Sequence, residues 1–322
     1  MPYLGYGTPE KLTLCGRVLE DEGFPPAGTS DSRWRNLVQF WKRLESDEVP
    51  GARLRARFLG AQAETRTDSE GYFRLEIPTR GRLGPGMWQE VKVELIEPKG
   101  AAPAVGKVLI PSKRARFAVI SDIDDTIVAS DVGNKLRMIL TAALNNARTR
   151  KPFLGVAAFY RALHAGVNPF FYVSKSPWNL YAPLIEYLEV QGLPLGPLLL
   201  RDFGLRPEKE HKRKAIEEIL ATYPKLKFIL IGDSGENDPE IYSAVVQRFP
   251  ERVRAIYIRS VNQDPRRIKA IEKLVTEVAK TGCQLVLAPE AEPAAAHAAG
   301  EGLIPASELR AVRAEKDSEL RK

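Results

Sequence analysis

Cysteine is nearly absent from this sequence. Its 322 residues include only Cys15 and Cys283, which lie far apart in the chain. Two distant cysteines supply neither the disulfide framework of a small secreted domain nor the closely spaced ligands of a zinc site. The three histidines, His164, His211 and His297, are equally scattered and predict no metal-binding cluster. The sequence therefore argues against a disulfide scaffold and is typical of a protein from a reducing compartment.

Long apolar runs are also missing. No stretch approaches the ~18 to 20 consecutive apolar residues that a membrane-spanning helix needs. The first residues, Met1–Gly7, lack the basic and then apolar pattern of a secretory signal. We therefore predict a cytoplasmic protein that is neither exported by that route nor integral to a membrane.

Positive charge exceeds negative charge. Lysine and arginine number 48 against 41 aspartates and glutamates, which gives a net charge of +7. This excess favours anionic partners, namely phosphorylated substrates, anionic lipid surfaces or nucleic acid. Because stacking aromatics do not alternate with the basic residues, nucleic acid is not predicted as a partner. Each short basic group, such as residues 209–214, is also typical of an ordinary solvated surface.

The first third of the chain alternates apolar and polar residues with the period of a β-strand. This alternation predicts strands at 12–18, 52–58, 72–77, 90–96 and 107–110. The helical spacing of apolar residues in 32–45 predicts an inserted helix. Segments 50–54 and 67–73 resemble parts of small transthyretin-like sandwich modules. We therefore predict that residues 1–111 form a β-sandwich with a binding or positioning role rather than a second enzyme.

The pattern changes after the segment Glu97–Gly106, which is rich in proline and glycine. Beyond it, short apolar strands alternate with helical stretches of about 10 to 15 residues. This order predicts an α/β domain over residues 112–322, with a mostly parallel sheet covered on both faces. The charged residues 306–322 are predicted either to fray or to form an exposed helix.

An apolar strand that ends in acidic residues is the most informative stretch of this second domain. Phe117–Ser121 leads into Asp122, Asp124 and Thr126, spaced as DxDxT. Carboxylates gathered at a strand end repel one another unless a cation such as Mg²⁺ lies among them. One carboxylate can attack phosphorus, while a second exchanges protons with the leaving group and with water. The alternative is an acidic turn that faces water.

A second predicted strand, Asn168–Val173, ends in Ser174 and Ser176. Pro177 follows Ser176, and this pair is typical of a helix start, with serine as the N-cap and proline at the first helical position. Ser174 is therefore the better candidate for a donor to phosphate oxygens, and Ser176 remains the alternative.

A lysine falls on the apolar face of a helix predicted over 207–222. Helical spacing aligns Lys212 with Ile216 and Ile219, whereas Lys214 aligns with acidic neighbours. A cation near a helix N-terminus opposes the helix dipole unless it meets a negative charge. Lys212 is therefore predicted to contact phosphate and the nucleophile. The alternative is a lysine whose amine reaches the surface.

A third predicted strand, Leu226–Ile231, delivers Asp233 to the same edge of the sheet as Asp122. There it can complete a coordination sphere of oxygen ligands. Asp238 precedes Pro239, so it fits either a helix N-cap or a group that holds a metal-bound water. Both roles stay open for Asp238.

Together these motifs resemble those of the haloacid-dehalogenase superfamily of aspartate-nucleophile phosphatases. More narrowly, residues 117–261 resemble the catalytic domain of the actin-patch-protein phosphatidate phosphatase family. The segments that carry the narrower resemblance are 122–126, 171–181, 199–202, 229–242 and 256–259. They lie in a region that makes up a little under half of the chain.

The resemblance implies a Rossmannoid sheet, Mg²⁺ dependence and hydrolysis of phosphatidate or related lipid phosphates to diacylglycerol and phosphate. An aspartyl-phosphate intermediate follows from it, with Asp122 as nucleophile and Asp124 as general acid and base. The phosphate-binding residues are then Thr126, Ser174 and Lys212. The metal ligands are then Asp122, Asp124, Asp233 and Asp238, with the backbone carbonyl of Asp124 also facing the metal.

The interval between Ser174 and Lys212 is too short for a separate lid domain. Residues 132–154 are instead predicted to form a small helical flap with an apolar face and a basic end at Arg148–Lys151. This flap fits peripheral contact with a lipid surface, and it equally fits packing against the sheet. The competing functions are the same chemistry on a soluble or protein phosphomonoester, and a non-catalytic partner-binding protein. No oligomeric state is predicted.

Overall fold

The computed structural model of the chain describes residues 1–20, 48–79, 81, 83–123, 154–201, 210–261 and 264–321. The chain divides into two compact units, Met1–Ile110 and Pro111–Lys322. The predicted inserted helix at 32–45 and residues 132–153 of the predicted flap lie outside the described residues. The same holds for Asp124 and Thr126.

The first unit contains seven strands, among the described residues, in a single hydrogen-bonded sheet. They are β1 Gly5–Gly7, β2 Lys11–Arg17, β3 Arg53–Phe58, β4 Ala61–Arg66, β5 Tyr72–Pro78, β6 Trp88–Glu97 and β7 Ala104–Leu109. The order in the sheet is β4-β3-β6-β7-β1-β2-β5. Neighbouring strands are antiparallel except β1 and β7, which are parallel. The edge strands β4 and β5 also lie close together, so the sheet curves into a near-barrel.

The alternation of burial along the strands follows the alternation in the sequence. Phe73, Leu75 and Ile77 of β5 are buried, and the residues between them are exposed. Such a strand packs one face on a core and leaves the other in water. The five predicted strands are present, while β4, which has no buried residue, and the three-residue β1 carry too little pattern to be predicted. The predicted sandwich is not confirmed, because one continuous sheet surrounds the core.

The described residues of the second unit form a six-stranded sheet. Its strands are β8 Ala118–Asp122, β9 Phe170–Pro177, β10 Leu198–Arg201, β11 Phe228–Asp233, β12 Val253–Arg259 and β13 Gln284–Ala288. The order is β10-β9-β8-β11-β12-β13, and every neighbouring pair is parallel. Strands β8 and β11 are buried along their whole length, as is typical of central strands in an α/β protein. The predicted α/β architecture with a parallel sheet is therefore confirmed.

Seven α-helices accompany this sheet in the described part of the second unit. They are α1 Val156–His164, α2 Tyr181–Val190, α3 His211–Thr222, α4 Asp238–Arg248, α5 Pro265–Ala279, α6 Ala291–Gly300 and α7 Ala306–Leu320. A single 3₁₀ turn, Trp178–Leu180, leads into α2. None of the helices in the described ranges combines the length and the apolar character needed to cross a membrane.

The charged C-terminal segment forms a packed helix. Helix α7 lies against α1 and α6, and Val312 on its inner face is fully buried. Glu315 and Glu319 accept hydrogen bonds from the backbone amides of Ala158 and Gly155 at 2.7 and 2.8 Å. These carboxylates occupy the positive end of α1, which has no acidic residue in its own first turn. Fraying, one of the two predicted alternatives for this segment, is therefore wrong.

Strand β9 runs farther than the sequence predicts. Its pairing with β10 extends to Pro177, which lies opposite Arg201. Ser174 and Ser176 therefore both lie within the strand, and Pro177 is itself the N-cap of the 3₁₀ turn that follows. The predicted N-cap role of Ser176 is wrong, because pairing with β10 keeps the backbone extended where the Ser-Pro pair locally favours a helix start.

Candidate active site

Three neighbouring strands end at one edge of the parallel sheet. Strand β8 lies between β9 and β11, and the register pairs Asp122 with Val173 on β9. Ser174 therefore follows directly after the partner of Asp122, and Asp233 is the last residue of β11. Because parallel strands bring their carboxyl ends to the same edge, the predicted site residues of these strands meet where α/β proteins bind ligands.

Three carboxylates converge at this edge. One oxygen from each of Asp122, Asp233 and Asp238 lies within 4.8 Å of the others, and all three residues are fully buried. Buried carboxylates this close repel one another and need compensating positive charge. Asp122 does not face water, so the alternative of a solvated acidic turn does not hold for this residue.

Lys212 on α3 supplies positive charge inside the cluster. Its Nζ lies 2.8 Å from Asp122 Oδ1 and donates hydrogen bonds to Asp238 Oδ1 at 2.6 Å and Glu236 Oε2 at 3.1 Å. Burial by itself lowers the pKa of Lys212, but the surrounding carboxylates outweigh it and hold that pKa well above the ordinary lysine value. The side chain is 2% exposed, so the alternative of a surface lysine is wrong.

Asp238 reaches the cluster through a close approach to a glycine. It is the first residue of α4, whose N-cap is Asn237, and its Oδ2 accepts a hydrogen bond from the backbone amide of Asp233 at 3.2 Å. A Cβ on Gly232 would lie 2.8 Å from Cγ of Asp238. Burial raises the pKa of Asp238, and Lys212 opposes that shift. The predicted N-cap role is wrong, because the carboxylate contacts the lysine and the strand end instead.

The loop after β11 folds around Asp233. Its Oδ1 accepts hydrogen bonds from the backbone amides of Gly235 at 2.6 Å and Glu236 at 3.1 Å. Aspartate side chains commonly form such turns with the chain two or three residues on. The turn brings the start of α4, and with it Asp238, back toward the end of β11.

A buried chain of hydrogen bonds holds the backbone of Asp122. Ser121 Oγ donates to the carbonyl oxygen of Asp122 at 2.7 Å, and the Tyr160 hydroxyl lies 2.8 Å from Ser121 Oγ. Because Ser121 uses its hydrogen toward Asp122, Tyr160 is the donor of the second bond. The sequence does not predict this support, since Tyr160 lies on α1 and only the packing of that helix brings it to β8.

Ser174 is fixed at the same edge. The residue is fully buried, and its Oγ accepts a hydrogen bond from the backbone amide of Ser176 at 2.8 Å. This contact orients the hydroxyl at the end of β9, next to the strand that carries Asp122.

Glu236 connects the buried cluster to its rim, and sequence reasoning missed it. Its Oε2 lies 3.1 Å from Lys212 Nζ and 2.8 Å from Lys175 Nζ. Burial raises the pKa of Glu236, but the two lysines outweigh it and leave that pKa lowered. Lys175 is 42% exposed, so the ion pairs of Lys175, Glu236 and Lys212 extend from the surface to Asp122. In the sequence, only the positions of these two residues indicate that they belong to the site. Lys175 follows a predicted phosphate-binding serine, and Glu236 lies in the acidic loop after β11.

The cluster fits a hard divalent cation. Three buried aspartates against one buried lysine leave two negative charges in excess. Carboxylate oxygens are the ligands that Mg²⁺ and Ca²⁺ prefer. Among the described residues, the cluster includes no histidine or cysteine, which are the usual zinc ligands. Asp122, Asp233 and Asp238 could therefore hold such an ion together.

Residues 117–260 match the family model described as Phosphatidate phosphatase APP1, catalytic domain. This range contains every described residue that the sequence assigns to the site, namely Asp122, Ser174, Lys212, Asp233 and Asp238. The predicted resemblance to that family is confirmed over these residues.

Two relatives match part of this chain. The chain is 37% identical over 153 residues to phosphatidate phosphatase APP1 of Saccharomyces cerevisiae, and 31% identical over 161 residues to an uncharacterized protein of Schizosaccharomyces pombe. The alignments cover 44% and 47% of this chain and 26% of each relative, so the chain spans about a quarter of their length. A solved carbohydrate acetylesterase from Xanthomonas citri aligns over 87% of this chain and 75% of that one, with 11% identity and a TM-score of 0.29, a similarity too low to define the fold.

Proposed function

Because residues 117–260 match the catalytic domain of the phosphatidate phosphatase family, we propose that the chain is a Mg²⁺-dependent phosphomonoesterase. Its substrate is phosphatidate or a related lipid phosphate, which it hydrolyses to diacylglycerol and phosphate. The observation that carries the proposal is the Lys212 ammonium, 2.8 Å from Asp122 Oδ1 inside a buried carboxylate cluster. A cation at this distance stabilises the negative charge that a carboxylate nucleophile needs.

The first half of the reaction transfers the phosphoryl group to the enzyme. A carboxylate oxygen of Asp122 attacks phosphorus, and the bond between phosphorus and the alkoxide oxygen breaks. Asp124 gives its proton to the leaving oxygen, which departs as the alcohol. Lys212, Ser174 and Thr126 bind the phosphoryl oxygens and orient the group for in-line attack.

The second half releases phosphate. Asp124, now ionised, takes a proton from a water molecule, whose oxygen attacks the phosphorus of the aspartyl-phosphate. The bond between Asp122 and phosphorus breaks, inorganic phosphate leaves, and Asp124 carries the proton needed for the next cycle.

The metal would be held by Asp122, Asp233 and Asp238, together with the backbone carbonyl of Asp124. A bound Mg²⁺ supplies positive charge that reduces repulsion between the carboxylates and the anionic phosphate. Lys212 adds positive charge of its own, since its amine contacts both Asp122 and Asp238.

The parallel sheet of the second unit supports a haloacid-dehalogenase-like Rossmannoid fold, with the nucleophile at the end of the central strand β8. The first unit then has a binding or positioning role. The excess of positive charge supports an anionic lipid as substrate and peripheral membrane contact from the cytoplasm. The same chemistry on a soluble or protein phosphomonoester is the second candidate, because the buried cluster recognises phosphate and not the alcohol.

Phosphate release tests the proposal. Phosphatidate in mixed micelles and a panel of soluble phosphomonoesters are each assayed with Mg²⁺ or with EDTA. Asp122→Asn removes the nucleophile at constant size, and Asp317→Asn changes an exposed aspartate on α7 as the matched control. We expect Mg²⁺-dependent turnover of phosphatidate that Asp122→Asn abolishes and Asp317→Asn retains.

Each alternative predicts a different outcome. Turnover of soluble esters alone would keep the mechanism and discard the lipid substrate. No turnover of any phosphomonoester would favour a non-catalytic partner-binding protein. Retained turnover in Asp122→Asn would exclude the aspartyl-phosphate.

Membrane contact has a separate test. The basic residues Arg148, Arg150 and Lys151 lie outside the described residues, and the proposal for them rests on the sequence pattern of the flap. Replacing all three by glutamate should weaken binding to vesicles that contain phosphatidate, because anionic lipid attracts basic side chains. Unchanged vesicle binding would contradict this role.

A further inference from the structure

Arg267, which lies outside the matched segment, holds the loop between the two aspartates Asp233 and Asp238. It projects from α5, and its Nε and Nη2 donate hydrogen bonds to the backbone carbonyls of Ser234 at 3.0 Å and Glu236 at 2.5 Å. Its Nη2 also donates to Glu240 Oε2 at 3.0 Å, and its Nη1 pairs with the other oxygen of that carboxylate. One guanidinium thus connects the loop to the first turn of α4.

These contacts bracket the turn that brings the aspartates together. Ser234 immediately follows Asp233, and Glu236 stands two residues before Asp238. The oxygens of the two aspartates converge only if this loop keeps its conformation. Arg267 side-chain atoms are 19% exposed, so solvent competes little for the hydrogen bonds that maintain it.

The shape of the guanidinium matters for this contact. Arginine offers several N–H donors in one rigid plane and can therefore bind two carbonyls and a carboxylate at once. A lysine at the same position could keep an ion pair with Glu240 but could not reproduce this planar set of contacts.

We propose that Arg267 is a positioning residue for the divalent-metal site, because it holds residues 234–237 in the conformation in which Asp233 and Asp238 bind the same ion. This inference rests on the proposed function, since it takes the carboxylate cluster as a metal site. Arg267 itself touches neither the metal nor the substrate.

The direction in which metal affinity changes when Arg267 is removed distinguishes positioning of the loop from a purely electrostatic influence. Glu240 has the largest effect on the pKa of Arg267 and raises it. The carboxylates of Asp233 and Asp238 also raise this pKa, so the charge of Arg267 interacts with the cluster. A nearby positive charge weakens the binding of a cation. If charge were its only influence, removal of Arg267 would tighten metal binding; if it positions the loop, removal weakens binding.

Binding of Mn²⁺ alone to the purified full chain, followed by the loss of the free-ion electron paramagnetic resonance signal, tests this sign. We expect Arg267→Ala to bind about 10- to 100-fold more weakly than the unaltered chain, as is typical when support of a ligand is removed. Arg267→Lys should recover part of that loss. Arg266→Ala, the exposed neighbour on the same helix, is the matched control and should bind as the unaltered chain does.

A second variant and an activity assay distinguish a positioning role from a general loss of folding. Glu240→Gln keeps both carbonyl contacts of Arg267, so it should weaken Mn²⁺ binding less than Arg267→Ala. In phosphatase assays, Arg267→Ala should raise the metal concentration for half-activation more than it lowers kcat at saturating metal. A merely structural residue would lower the active fraction and leave the half-activating concentration unchanged.

Unchanged or tighter Mn²⁺ binding by Arg267→Ala would overturn this inference and leave the metal site intact. If the unaltered chain bound no Mn²⁺, or if Asp233→Asn bound it equally well, the metal site and this inference would both be overturned. The two failures are therefore distinguishable.

Discussion

The carboxylate of Asp238 occupies the space that a side chain at Gly232 would need. A Cβ on Gly232 would lie 2.8 Å from Cγ and 2.9 Å from Cβ of Asp238, closer than real side-chain contacts allow. The glycine thereby lets the first residue of α4 pack directly on the end of β11. The convergence of carboxylates depends on the smallest residue of the strand as well as on the acids themselves.

Gly232→Ala should therefore displace Asp238 and weaken the site. A displacement of about 1 Å at a catalytic constellation costs on the order of 10²-fold in rate. We expect a loss of that size in kcat/KM, with weaker Mn²⁺ binding. Gly300→Ala is the control, because a Cβ there meets nothing within 4 Å. Normal Mn²⁺ binding by Gly232→Ala would contradict the steric argument.

Lys212→Met should lower both activity and stability. The change leaves buried Asp122 and Asp238 without their cation, and removing one partner of a buried ion pair costs about 3 to 5 kcal/mol. We expect this loss in urea unfolding with EDTA present, and a fall in kcat/KM of at least about 10²-fold. Lys214→Met, two residues along α3 and exposed, should be close to neutral. Equal effects of the two substitutions would exclude a special role for Lys212.

Lys175→Met tests the rim of the site. Because Lys175 is partly exposed and contacts Glu236, it should attract anionic substrate without taking part in the chemistry. We expect kcat/KM to fall at low ionic strength with kcat nearly unchanged, and the difference to shrink at about 1 M salt. Lys225→Met, an exposed lysine just before β11 at the opposite edge of the sheet, should have no such effect. A salt-independent loss would assign Lys175 a different role.

Val312→Ala should destabilise the second unit through helix α7. The Val312 side chain is fully buried, so its truncation should lower the free energy of unfolding by about 1 to 3 kcal/mol. Chemical denaturation measures this change. Leu320→Ala, at a position 53% exposed near the helix end, should change stability by less than about 0.5 kcal/mol. If both substitutions were neutral, the packing of α7 would contribute little to stability.

Much of the second unit is predictable from local pattern. The predicted strand Leu226–Ile231 corresponds to β11, Phe228–Asp233, and the helix predicted over 207–222 ends at Thr222 as α3 does. Buried parallel strands are continuous apolar runs, and such runs are visible without knowledge of their partners. The sequence could not predict the extension of β9 to Pro177, because its pairing with β10 overrides a local helix-start signal.

The first unit shows the limit of the same reasoning. The alternation of residues along β5 matches the alternation of burial in the structure, but alternation does not specify which strands pair. Strands β1 and β4 complete the sheet with little apolar pattern of their own, and the approach of β4 to β5 curves it into a near-barrel. The predicted sandwich of two facing sheets has the same alternation of apolar and polar residues but a different pairing of strands.

The sequence by itself determined where along the chain the strands of the second unit occur. It also determined which reactive side chains stand at the strand ends, because Asp122, Ser174 and Asp233 each belong to a local motif. Parallel strands then bring these ends together as a matter of geometry. Only the tertiary structure decided how the site is supported. Tyr160 supports Asp122, and Arg267 of α5 holds the loop, through contacts between residues that are distant in sequence. Gly232 acts by leaving space for Asp238. Neither a distant contact nor available space is visible in a local sequence pattern.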